Sequence, residues 1–212
     1  MKATLAGALL FGLAFSSPAM ASPIVVANYS FETAPALTFP CGGACQYSID
    51  AIPGWTDAGV TGQWIVGGYA GNPDAVDGSV LAYTNGGFIS QNVGTAVAGD
   101  TYKLTVALLH RTDVSMAGLI QLELNGSVVA TASGPDGGGG TWSDWTATYT
   151  ASGADAGKTL TILLSATDAQ GDFDNVRLDE SSPAAPVPEP ASLTLLGTAV
   201  VGFIARKRRA RK

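Results

Sequence analysis

Between residues 22 and 180 the apolar positions fall in short runs, many alternating with polar ones, and clusters of Gly, Asn, Asp and Ser separate the runs. A period of two over such short stretches is the mark of half-buried strands rather than helices. The pattern predicts strands at Ile24–Ala27, Val80–Thr84, Gly87–Val93, Thr101–His110, Gly118–Leu124, Ser127–Ala132, Trp145–Ala151, Lys158–Ser165 and Phe173–Leu178. Asn125-Gly126, between two of these runs, reads as a tight hairpin, because both residues accept the positive φ angles of a type I′ turn. Pro135–Gly140 is too rich in glycine to pack and reads as a loop. No helical periodicity longer than about three turns interrupts the series. The number of strands predicts an all-β fold, a two-sheet sandwich of the jelly-roll type.

Both ends break the pattern. Residues 1–21 combine Lys2, the apolar run Ala6–Phe15 and the small residues of Ala19-Met20-Ala21, which is the layout of a secretory signal peptide cut by signal peptidase after Ala21. Residues 181–186 form a Ser/Pro linker, and residues 187–212 contain Pro188-Glu189-Pro190, the largely apolar Ala191–Ala205 and the basic run Arg206–Lys212. That apolar stretch has 15 residues, short against the roughly 17–25 of a spanning helix. Its basic flank keeps the tail cytoplasmic and leaves the body on the far side of the membrane. This three-part ending resembles the PEP-CTERM sorting signal of Gram-negative bacteria. The resemblance implies that an exosortase cleaves near Pro188, Glu189 and Pro190. The exported protein would be held first at the inner membrane by its short C-terminal helix, with the body in the periplasm. It would then pass to the cell surface or the biofilm matrix.

Charge sharpens the division. The chain has 11 basic and 17 acidic residues, yet between the two ends only Lys103, Arg111, Lys158 and Arg177 stand against 16 of the acids. So acidic a body repels phosphate backbones, which excludes a nucleic-acid partner. Cys41 and Cys45 flank a flexible Gly-Gly-Ala in an exported chain and are expected to form a disulfide. His110 is the single histidine, no G-x-S-x-G turn is present, and most acids sit in turn contexts such as Asn72-Pro73-Asp74. A nucleophilic triad and a histidine-rich zinc centre are therefore not expected, and the body reads as non-catalytic.

A second resemblance lies in the body. Asn28-Tyr29-Ser30-Phe31-Glu32, Ile52-Pro53-Gly54-Trp55, the stretch from Ile89 to Leu104 and Phe173-Asp174-Asn175-Val176-Arg177-Leu178 are similar, in order and spacing, to the motifs of galactose-binding-domain-like jelly rolls, a superfamily that includes many carbohydrate-binding modules. The resemblance implies a structural calcium ion joining the first and last strands through Glu32 and Asp174, with Asp77 added if its loop folds back. Carboxylate oxygens are the hard ligands calcium takes. Trp64, Tyr69 and Tyr83 lie in Gly-rich surroundings with the amides Gln63 and Asn85 nearby. Aromatic faces stack on sugar rings and amides read hydroxyls, so Trp64, Tyr69, Gln63 and Asn85 are the candidate sugar-binding residues. The expectation is a non-catalytic glycan-binding protein whose partner is an extracellular polysaccharide. The alternatives are a structural matrix protein without a small ligand and a polysaccharide-modifying hydrolase.

Overall fold

A computed structural model describes residues 20–114, 118–133, 139–166 and 169–183. The signal peptide up to Ala19, the sorting motif and the apolar segment Ala191–Ala205 lie outside the described residues. No helix among the described residues is long and apolar enough to cross a membrane. Met20–Ser182 forms one compact unit.

Its strands, in chain order, are β1 (Ala21–Ile24), β2 (Phe39–Gly42), β3 (Cys45–Ser48), β4 (Thr56–Ala58), β5 (Thr61–Ile65), β6 (Leu81–Thr84), β7 (Phe88–Thr95), β8 (Thr101–His110), β9 (Gly118–Leu124), β10 (Ser127–Ser133), β11 (Thr141–Thr150), β12 (Thr159–Ala166) and β13 (Gly171–Ser181). One sheet of eight strands runs β11-β8-β13-β6-β5-β3-β2, with β1 also paired to β13; the second runs β10-β9-β12-β7-β4. Every pairing is antiparallel. The body is the two-sheet sandwich that the alternation predicts. The first and last strands join directly as a ladder, from Ala21 opposite Ser181 to Ile24 opposite Leu178.

Alternation along each strand explains the core. Leu104, Val106 and Leu108 of β8, Ile120 and Leu122 of β9, Ile162 and Leu164 of β12 and Phe173 of β13 point between the sheets and are buried. The motif residues of the body sit at one edge of this core and hold one another. Asn28 takes a positive φ of 48°, and its side-chain amide donates to the Thr33 and Pro53 carbonyls. Phe31, fully buried, packs against Trp55 at 5.4 Å between ring centroids, and Trp55 Nε1 donates to the Asn28 carbonyl. The last strand joins the same knot, with the Val176 N–H donating to the Tyr29 carbonyl at 2.8 Å. Trp55 is thus core, and Trp145 is buried while Trp142 on the opposite face of β11 is half-buried.

Four strands appear where the pattern predicted none. β2, β3, β4 and β5 are short and carry Pro40, Gly42, Cys41, Cys45 and Gly62, which break alternation. Pro40 is tolerated because β2 is an edge strand. The segment Cys41–Cys45 is a two-strand hairpin closed by a disulfide with a Cα–Cα distance of 5.2 Å.

Candidate functional site

The face of the larger sheet that turns away from the second sheet carries its own cluster: Cys45, Trp64, Val66, Leu81, Tyr83 and Leu109, with Cys41, Tyr47, Tyr69 and Trp142 packed on it. Register builds it. Tyr47 lies opposite Trp64, Trp64 opposite Leu81, and Gly62 opposite Tyr83, which in turn faces Asp172 across the next ladder. Gly62 leaves room for the Tyr83 ring to cross β5, and the Tyr83 hydroxyl donates to the Ser48 carbonyl at 3.0 Å. A pocket of about 230 Å³ opens over this cluster, walled by Cys41, Tyr47, Trp64, Tyr69, Tyr83, Asn85, Arg111 and Gln170. That volume lies below the roughly 300–1,000 Å³ of drug-sized sites, so it admits a single ring or little more.

Arg111, at the end of β8, forms one side of the pocket. Its guanidinium lies 4.9 Å from the Trp64 ring centroid and 5.7 Å from that of Tyr69. Nε and Nη2 grip both oxygens of Asp113, and Nη1 donates to Gln170 Oε1 at 2.8 Å. Gln170 Nε2 donates in turn to Asp172 Oδ1 at 2.6 Å. Asp172 is fully buried, and its Oδ2, like Trp64 Nε1, has no hydrogen-bond partner among the described residues. Burial pushes the Asp172 carboxyl up to about 7, against the hydrogen bond from Gln170 and the charge of Arg111. Tyr83 is pushed up to about 12, by burial first and then by Tyr47 and Asp172 beside it.

Three of the four predicted sugar-binding residues line this pocket: Trp64, Tyr69 and Asn85. Gln63 does not. It sits on the opposite face of β5, fully buried, with Nε2 donating to the Phe31 and Thr33 carbonyls. It belongs to the core knot because adjacent strand residues point to opposite faces. Trp64 is 4% exposed and covered by Arg111, so it serves as pocket wall rather than as an open stacking platform. Asn72 is also structural, donating to the Tyr69 carbonyl and accepting from the Thr112 N–H. Arg111, Gln170 and Tyr47 are pocket residues that the sequence reading does not single out, and Asp172 lies behind Gln170. The Arg111-Thr112-Asp113 spacing was the one local signal of a fixed guanidinium.

The three acids expected to bind calcium surround one loop. Glu32 Oε1 accepts from the Ser79 and Val80 N–H groups at 2.8 and 2.7 Å. Asp174 Oδ2 accepts from Val76 and Asp77, and its Oδ1 from Asn175. Their donor type suits calcium, but these oxygens already meet backbone N–H groups. Among the described residues, no three His, Cys, Asp or Glu side chains converge to hold a metal ion. His110 is a buried strand-end residue whose Nε2 lies 3.2 Å from Ser143 Oγ. A second, wider cleft between Pro23–Val26 and Val176–Asp179 is mainly apolar, with Tyr29, Arg177 and Asp179 as its polar lining.

Residues 22–179 match the HpiC1-like family, described as HpiC1 cyclase. Residues 186–209 match the PEP-CTERM protein-sorting motif. No curated protein matches the chain in sequence. Among solved structures it is similar to the Stig cyclase Fisc from Fischerella sp. TAU in complex with (3Z)-3-(1-methyl-2-pyrrolidinylidene)-3H-indole, at 22% identity and a TM-score of 0.66 over 78% of this chain and all of that one. A cyclase from Fischerella sp. TAU in complex with 4-(1H-indol-3-yl)butan-2-one is similar at 20% identity and a TM-score of 0.61, over 77% of this chain and 99% of that one. The CBM22-1–CBM22-2 tandem domain of Paenibacillus barcinonensis Xyn10C is similar at 16% identity and a TM-score of 0.50, over 84% of this chain and 50% of that one. At these identities the likeness is one of fold.

Proposed function

The chain belongs to the HpiC1-like family, and from that premise we propose that it is an exported protein of the cell surface or polysaccharide matrix that binds one ring of a glycan in the Tyr47–Trp64–Tyr69–Tyr83 pocket without altering it. In this reading Ala191–Ala205 holds the precursor in the inner membrane until an exosortase acts near Pro188-Glu189-Pro190. The observation that carries the binding role is the pocket itself, where aromatic walls meet the amides of Asn85 and Gln170 and the guanidinium of Arg111. Apolar ring faces and a few fixed polar groups are what a glycan site needs. The ligands named in the two Fischerella complexes also carry a compact ring system, which aromatic walls of this kind suit.

One observation favours a second reading. Asp172, fully buried and pushed up to about 7, has an Oδ2 with no partner among the described residues and adjoins the pocket wall through Gln170. A carboxyl that holds its proton near neutrality is suited to general-acid work. A small molecule bound in the pocket would then be protonated and rearranged, as befits relatives described as cyclases.

Calorimetric titration of the full chain in detergent with the host's exopolysaccharide separates the readings. Saturable heat that weakens about three- to tenfold in Tyr69→Ala and in Asn85→Ala is the expected result. The recovered glycan should be unchanged in mass. A chemically altered product, absent with Asp172→Asn, would move the protein to the enzymatic reading. No heat from folded protein would leave it a matrix spacer. Calcium enters this reading only as an added structural ion at Glu32, Asp77 and Asp174. A rise in Tm with calcium over chelator, lost in Glu32→Gln, supports it; equal transitions leave the loop to its carboxylate–amide contacts alone.

A further inference from the structure

We propose, building on the binding role above, that the sugar unit the pocket takes is acidic, a hexuronate whose carboxylate docks on Arg111. Arg111 is a fixed donor. Its side chain is 8% exposed, lies over the Trp64 and Tyr69 rings and is anchored through Nε, Nη1 and Nη2. A guanidinium has five N–H groups. Among the described residues three of them serve Asp113 and Gln170, which leaves one N–H on each terminal nitrogen at the wall of the pocket. Two donors on one rigid plane match the two oxygens of a carboxylate, and an arginine already locked by packing loses little freedom in making those bonds.

The rest of the pocket fits a uronate ring. Half-buried Tyr69 and Tyr47 line the pocket with aromatic surface for the ring's C–H groups, and Asn85, exposed at the rim, offers an amide to its hydroxyls. A neutral hexose would leave the two arginine donors without an anionic acceptor. Hydrogen bonds to a charged partner are the stronger ones and discriminate most.

Asp113 grips Nε and Nη2 of Arg111 on the side away from its remaining donors and is held below the usual carboxylate range by those hydrogen bonds, so the guanidinium is fixed in place.

The deciding experiment titrates the full chain in detergent with the host's exopolysaccharide before and after carbodiimide–borohydride reduction of its uronates to neutral hexoses. Carboxyl reduction is expected to weaken binding about tenfold to a hundredfold. Arg111→Lys, which keeps the charge but loses the planar fork, should bind the native polymer no better than the wild type binds the reduced one. Equal affinity for native and reduced polymer overturns the uronate proposal and leaves the glycan-binding reading standing. Absence of binding to either polymer overturns both. The wild-type comparison needs no variant to fold, so the proposal is tested even if Arg111→Lys unfolds.

Discussion

Replacing Gly62 with alanine is expected to lower the Tm of the body by about 10 °C or more and to abolish ligand binding. A Cβ at this position would stand 1.9 Å from the Ser48 carbonyl oxygen and 2.6 Å from the Tyr83 hydroxyl. The first of these is a backbone atom of β3, held by the β3–β5 ladder from Gln46–Ile65 to Ser48–Gln63, so it cannot swing aside as a side chain would. Relief requires β3 and β5 to separate, or Tyr83 to leave the groove that the glycine provides. Overpacking of this kind costs about 1–3 kcal/mol, occasionally more. Losing the Tyr83–Ser48 hydrogen bond in a buried setting adds about 1–3 kcal/mol. Tyr83 and Tyr47 are both pocket walls, so the strain falls on the binding site as well as on the fold. Gly153 supplies the control. A Cβ there meets nothing within 4 Å, and Gly153→Ala should leave both Tm and binding unchanged. Thermal unfolding of the two variants side by side decides the point. A Gly62→Ala transition within about 2 °C of the parent's would show that the two strands spread freely.

That the pocket wall Tyr83 rests on a glycine of the neighbouring strand explains why the site is only partly readable in the chain. Period-two alternation placed the long strands well. β8 and β9 fall on the predicted Thr101–His110 and Gly118–Leu124, and β12 differs by one residue at each end. Those strands have apolar residues on one face and a second sheet to bury them against. β2 and β4 are short and largely exposed, while β3 and β5 follow another logic, because both of their faces are partly buried and their residues are chosen for close approach and local bonds. Thr61, Gly62, Gln63 and Trp64 are all buried, which erases the alternation that identifies a strand. Gln63 looked like a surface amide because a buried amide is rare without a partner. Its partners, the carbonyls of Phe31 and Thr33, lie some thirty residues away and are not visible from local sequence.

The motif residues tell the opposite story. Asn28, Phe31, Glu32, Trp55 and Asp174 were legible as a set, and the structure brings them to one region. Each secures another segment of chain: Asn28 holds Thr33 and Pro53, Glu32 holds Ser79 and Val80, and Asp174 holds Val76 and Asp77. Their regularity in sequence reflects the closing of the sandwich. The pocket instead draws on side chains that β2–β3, β5, β6, β8 and the start of β13 deliver separately. No single stretch of chain carries its signature, and only strand register assembles it.

The second large effect is expected in the pH dependence of stability. The body should be most stable near about pH 4–5 and lose stability steadily as pH rises to 8. Asp172 drives this. Burial raises its folded-state pKa from 3.8 to about 7, so between those values the native state holds a proton that the unfolded chain has released. Stability is then complete below the unfolded pKa and falls as pH rises through the folded one. The difference is on the order of 4 kcal/mol. Asp174 acts in the same sense, pushed up to about 6 by burial against the N–H groups of Asp77, Asn175 and Val76. Two acids pull the other way at lower pH. Asp113 is held down by Arg111, and Asp155 by Ser152, Lys158 and Tyr149, so the stability they contribute fades only as pH falls below the ordinary carboxylate range. The optimum lies between the two windows. Urea unfolding from pH 5 to 8 measures the slope directly, and Asp172→Asn should remove most of it while raising stability at pH 8. A flat profile in the parent protein would mean that Asp172 stays ionised when buried, with Arg111 compensating it in full.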